Sequence, residues 1–113
     1  MIDSKKKDKR VFERFTARFP VKFKHSDDDF GKDIFLRDAS AEGLRIATTH
    51  RMFVNDCISL TVQLPDGFSP LVLSGRVVWT LSKTPTLWDV GLKFHRTQLM
   101  EMRRIYKLVT PLS

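Results

Sequence analysis

The chain has 113 residues, a formal net charge of +7, 42 % hydrophobic and 29 % charged residues. That length holds one domain with a single modest core, and the composition is that of a folding chain rather than a disordered one. No apolar run approaches the roughly 18 to 20 residues that cross a bilayer, and Met1-Ile2-Asp3-Ser4-Lys5-Lys6-Lys7 lacks the apolar stretch of a secretory signal.

Basic residues crowd the start: Lys5, Lys6, Lys7, Lys9, Arg10, Arg14 and Arg18. Residues 1–9 have almost nothing to bury and read as a flexible basic arm, with residues 10–113 as the folded domain. Phe19-Pro20-Val21-Lys22-Phe23-Lys24 then alternates apolar and basic, as a half-buried strand does. His25-Ser26-Asp27-Asp28-Asp29 is a polar connection, and Ile34-Phe35-Leu36 a short apolar run. Asp38-Ala39-Ser40-Ala41-Glu42-Gly43 follows and leads into Leu44-Arg45-Ile46.

Ile58, Leu60, Val62 and Leu64 occupy alternate positions and end at Pro65-Asp66-Gly67, a turn signal in which Pro presets φ and Gly tolerates positive φ. Another strand is expected through Leu71–Trp79. The last is Trp88–Phe94, with Trp88, Val90, Leu92 and Phe94 on one face. From Thr97 to Thr110 the period becomes helical: Leu99, Met102, Tyr106 and Val109 share a face, and Thr97 fits an N-cap. About six short strands and a C-terminal helix suggest a small antiparallel barrel, all-β apart from that helix.

The chemistry gathers in two places. Arg10 and Arg14 stand four residues apart, on one side of an extended chain and roughly 13 Å from each other along it. A guanidinium is a planar fork that grips a phosphate or the O6/N7 edge of guanine with two hydrogen bonds, which lysine cannot copy. Alone, this pair reads more readily as two solvated arginines, and Asp38 to Gly43 more readily as an ordinary strand-to-strand turn. Together, a carboxylate accepting from guanine N1 and N2 and an arginine covering its other edge complement guanine better than adenine.

Arg10-x-x-x-Arg14, followed by Asp38-x-Ser40-x-x-Gly43, resembles the signature of the PilZ family. The flanks resemble it too: Arg18-Phe19-Pro20-Val21, Gly75-Arg76-Val77-Val78-Trp79 and Val90-Gly91-Leu92-Lys93-Phe94, so the likeness spans about residues 9 to 110. The resemblance implies a six-stranded antiparallel β-barrel with a C-terminal helix. It also implies that cyclic di-GMP lies on the outer face, clamped by the N-terminal arm. Arg10 and Arg14 would hold guanine and phosphate, with Asp38, Ser40 and Gly43 as the opposing wall. Lys9 stands where many relatives carry a further arginine, and would meet phosphate as a point charge. Arg45 and Arg76 would add charge beside the site or else be solvated strand arginines, and Trp79 would stack on a purine or else sit in the core. The same choice faces Trp88, whose alternating strand favours the core.

The three histidines, His25, His50 and His95, lie far apart and Cys57 is the one thiol, so no zinc spacing exists and no intrachain disulfide can form. Asp27-Asp28-Asp29 lacks the rest of a calcium loop, and no nucleophile elbow or P-loop is present. The expectation is a cytoplasmic, non-enzymatic receptor. It would pass cyclic di-GMP binding to a downstream protein partner, without a membrane span, a metal or a nucleic-acid target. Two other readings stand beside it: a PilZ-like adaptor that binds protein without nucleotide, and a small basic barrel for single-stranded nucleic acid.

Overall fold

Alternating apolar positions become the inner face of a curled antiparallel sheet in the computed structural model, which describes residues 13–27 and 29–109. The strands are β1 (Phe15–Thr16), β2 (Val21–Phe23), β3 (Ile34–Ser40), β4 (Gly43–Thr48), β5 (Cys57–Val62), β6 (Leu71–Thr84) and β7 (Leu87–Phe94). One helix, α1 (Leu99–Val109), follows. The sheet order is β1-β3-β4-β7-β6-β5-β2, every neighbouring pair antiparallel.

The strand count is therefore seven, where six were expected. The addition is β1, two residues ahead of the expected first strand. The segment from Phe15 to Phe23 changes partner midway. Phe15 and Thr16 pair with β3, the Ala17 N–H donates to the Arg37 carbonyl at 3.2 Å, and Val21 to Phe23 pair with β5. Pro20 marks the change, because it has no N–H to continue a ladder. It bridges Phe35 on one side, while its carbonyl accepts the Gln63 N–H at 2.9 Å on the other. The two margins of the half-barrel are thus drawn together.

The inner face buries Ile34, Leu36, Leu44, Ile46, Leu60, Val62, Leu73, Val77, Val90 and Leu92, each at most 3 % exposed. Burying one such side chain is worth about 1.5–3 kcal/mol. Val90, Leu92 and Phe94 face the core as their alternation requires, and Trp88 packs against it partly buried. Met102 from the expected helical face is fully buried, but the second fully buried helix residue is Ile105, which that face omitted. Gln98, not Thr97, caps the helix: its carbonyl accepts the Met102 N–H at 3.0 Å, the first intrahelical bond.

The Pro65-Asp66-Gly67 turn forms as expected, with Gly67 at φ 82°. Its carboxylate also ties the helix down. Arg104 Nε donates to Asp66 Oδ2 at 2.6 Å, and Nη2 donates to Oδ1 at 2.9 Å and to the Ser69 carbonyl at 2.7 Å. The expected arm, residues 1–9, lies outside the described residues.

Candidate functional site

Two irregularities in the sheet build the site. Leu36 and Asp38 are two apart and would share a face in a regular strand, yet Leu36 is core and Asp38 faces outward. The register shifts between them, with Arg37 as the extra residue. Val77 and Trp79 repeat the pattern across the sheet: Val77 is fully buried, and the shift at Val78 turns Trp79 outward. Bulges of this kind re-aim side chains where a plain pleat would bury them.

The register then aligns Asp38 with Arg45, Arg45 with Gly91, and Gly91 with Trp79. This row crosses four strands, spanning about 14 Å at the usual strand spacing. Gly91 has a steric purpose here: a Cβ on it would come within 2.2 Å of Trp79 Nε1, so the indole lies against the bare β7 backbone. Trp79 is 38 % exposed and belongs to the outer face, not the core.

Asp38 holds two arginines. Arg14 Nη1 donates to its Oδ1 and Arg45 Nε to its Oδ2, both at 2.8 Å. Arg45 Nη1 also lies 3.7 Å from Asp89 Oδ2, and Lys83 Nζ lies 3.8 Å from the same oxygen. The Arg14 side chain is half exposed, so its fork is open to an incoming ligand.

Ser40 and Gly43 close the β3–β4 hairpin beside this network. Ser40 Oγ accepts the Glu42 N–H at 3.3 Å and donates to the Gly43 carbonyl at 3.5 Å. At Gly43 a Cβ would come within 2.1 Å of the Leu92 carbonyl oxygen, so only glycine lets β4 approach β7 this closely. Arg14, Ser40, Glu42, Gly43, Leu92 and Lys93, with Val78, line a groove of about 350 Å³. The hairpin tip is fixed from behind: the Phe94 N–H donates to the Glu42 carbonyl at 2.9 Å, and the Gln98 N–H to the Ala41 carbonyl at 2.8 Å.

Of the residues singled out by sequence, Arg14, Asp38, Ser40, Gly43, Arg45 and Trp79 thus share one outer face. Lys9 and Arg10 lie outside the described residues. Lys93, Asp89 and Gly91 were missed. Their alternation against Leu92 and Phe94 already put them on the outward side of β7, but nothing local says that β4 and β6 flank that strand. Among the described residues no group of three His, Cys, Asp or Glu could hold a metal ion, and no helix is long and apolar enough to cross a membrane.

The PilZ domain family matches residues 8–110. The chain belongs to the PilZ family. Its fold is similar to the solved structure of the Bacillus subtilis inhibitor of motility MotI/DgrA, with a TM-score of 0.58 at 11 % identity. That likeness covers 84 % of this chain and 46 % of the other, so this chain spans less than half of its length. At such identity the likeness is one of fold. No curated protein matches the chain. PilZ domains form a family of cyclic di-GMP receptors and adaptors, not enzymes, and Arg14 meets Asp38 here across the outer face.

Proposed function

We propose that this PilZ domain is a cyclic di-GMP receptor that turns ligand binding into a changed surface for a downstream protein. The observation that carries the reading is the meeting of Arg14 with Asp38, beside Ser40 and Gly43, on one solvent-facing groove. In this reading Arg14 turns its fork from Asp38 to the ligand, gripping phosphate or the guanine O6/N7 edge. Asp38, still positioned by Arg45, accepts from the guanine N1 and N2 donors. Ser40 and Gly43 shape the wall, Lys93 and Arg45 add positive potential, and Trp79 on its Gly91 seat offers a stacking surface. Lys9, of the basic arm formed by residues 1–9, and Arg10, at the start of the domain formed by 10–113, would supply further positive charge to the ligand's phosphates and guanine.

The output path follows from what the site touches. Phe15, next to Arg14, packs edge-on against Tyr106 of α1 with ring centroids 5.2 Å apart, and the hairpin tip bonds the helix cap through Ala41 and Gln98. A shift of Arg14 or of the hairpin therefore reaches α1, which presents the altered surface to a partner in the cytoplasm. Calorimetric titration with cyclic di-GMP, cyclic di-AMP and a short single-stranded oligonucleotide tests this. Saturable binding that prefers the guanine ligand is expected. Equal binding of all three, or none of cyclic di-GMP, would sink the reading.

A further inference from the structure

β6 is 14 residues long, yet β5 pairs only with its first part, Leu71 to Arg76. Val77 is occupied by the connection before β5: its N–H donates to the Asp56 carbonyl at 2.9 Å and its carbonyl accepts the Asn55 N–H at 2.8 Å. From 78 to 84, no strand among the described residues lies on that side, while β7 pairs with the other side as far as Thr84 opposite Leu87, with register shifts at Val78 and Lys83. All seven residues are exposed. An open strand edge is a row of unpaired N–H and C=O groups, which proteins usually blunt with charge, proline or brevity. This one is long, has no proline and carries a single charge, Lys83, and its two bulges lie at its ends, so that Trp79 to Ser82 stay in regular register. It displays Val78, Trp79 and Leu81, the last 54 % exposed.

We propose that two copies of this chain associate in an antiparallel pair along this edge, about a two-fold axis at Leu81. The edge is self-complementary in that register. Leu81 meets Leu81, Thr80 meets Ser82, and Lys83 meets Trp79 of the other copy, so the only cation faces an indole rather than a second cation. The faces also agree. Trp79 and Leu81 are aligned with Gly91 and Asp89 of the outer face, and Lys83 reaches Asp89 on that same face. Outward side chains therefore meet outward side chains, as strand pairing demands. A two-fold edge pairing uses one patch twice and closes on itself, so it ends at a dimer rather than a filament. A strand from an acidic partner is less suited, since the edge offers it one charge. A seven-residue edge falls short of the about 1,000 Å² that stable interfaces clear. The dimer is accordingly weak, with a dissociation constant on the order of tens of micromolar.

The proposal does not depend on nucleotide binding, and the ligand-free full chain tests it. Sedimentation velocity from about 5 to about 500 µM is expected to show monomer giving way to dimer. Leu81→Lys places two cations together at the axis and Leu81→Glu two carboxylates. Each variant alone should remain monomeric at the highest concentration, with unchanged thermal melting because residue 81 is exposed. An equimolar mixture of the two should recover a dimer, since unlike charges then face each other. A wild-type chain that stays monomeric throughout overturns the proposal. So does a dimer that persists unchanged in both variants, or a mixture of the variants that does not associate.

Discussion

Two Asp–Arg clusters on this molecule use the same chemistry to different ends. At the β5–β6 turn, Arg104 commits Nε and Nη2 to both Asp66 oxygens and the Ser69 carbonyl, and its guanidinium stands 5.8 Å from the Phe68 ring. One partner comes from the turn and the other from the helix, and the fork has its geometry satisfied within the chain. On the outer sheet face, Asp38 divides its oxygens between two arginines, and Arg14 gives it one nitrogen at the end of a half-exposed side chain. The first cluster fastens a helix to the half-barrel. The second holds a guanidinium near a carboxylate in a form that a ligand can take over. A saturated, bidentate pair is a clamp; a shared, single-point pair is a site in waiting.

The widest separation between the clusters should appear in affinity. On the proposed reading Arg14→Ala removes a charge-assisted contact to the ligand, of a kind worth roughly 1.5–3 kcal/mol, so cyclic di-GMP affinity should fall about tenfold to a hundredfold or more. Arg14→Lys should restore only part of this, because charge returns without the planar fork. Thermal melting without ligand should hardly move in either variant. Titration calorimetry beside thermal melts reads both quantities, and unchanged affinity in a folded Arg14→Ala removes Arg14 from the site.

Arg104→Ala should give the reverse pattern. It unfastens α1 from the turn and leaves the half-buried Asp66 carboxylate without its main partner, so the melting temperature should drop while cyclic di-GMP affinity stays near wild type. A loss of affinity without a loss of stability would break the division between clamp and site. Asp38→Asn should produce a smaller effect, felt in selectivity. The amide keeps one acceptor but sets a donor against the guanine donors, so the preference for cyclic di-GMP over cyclic di-AMP should shrink, with direct titration of both ligands as the measure.

How far these clusters could be foreseen differs, for physical reasons. The Arg-x-x-x-Arg and Asp-x-Ser-x-x-Gly pattern pointed to Arg14, Asp38, Ser40 and Gly43, and the alternation of Val90, Leu92 and Phe94 placed the core face of β7. Period-two alternation cannot see a bulge, however. By that rule Asp38 shares a face with Leu36, and Trp79 with Val77, and only the extra residues Arg37 and Val78 send both outward. The split of the first strand at Pro20 and the meeting of Asp66 with Arg104, 38 positions apart, are set by long-range pairing that no local window contains. Gly91 was legible as a strand glycine, but its purpose needed the indole of Trp79 to be placed on it.

The smallest effect expected is the pH dependence of the clamp. The hydrogen bonds from Arg104 hold the Asp66 carboxyl at about 2, below its ordinary value of 3.8, with the Phe68 N–H assisting against the cost of partial burial. A carboxyl whose folded value is depressed binds fewer protons folded than unfolded, so its stabilising contribution is fully present above pH 3.8 and is lost as the pH falls toward 2. Asp66→Asn keeps an acceptor for the Phe68 N–H but removes the charge that faces Arg104. The difference in melting temperature between wild type and this variant should therefore be constant from neutral pH down to about 4, then narrow and vanish near 2. Taking the difference between the two proteins cancels the other carboxyl groups, which titrate in both. A gap that stayed the same from pH 5 down to 2 would mean that Asp66 ionises without help from Arg104, and the contrast between a saturated clamp and an open site would lose its electrostatic basis.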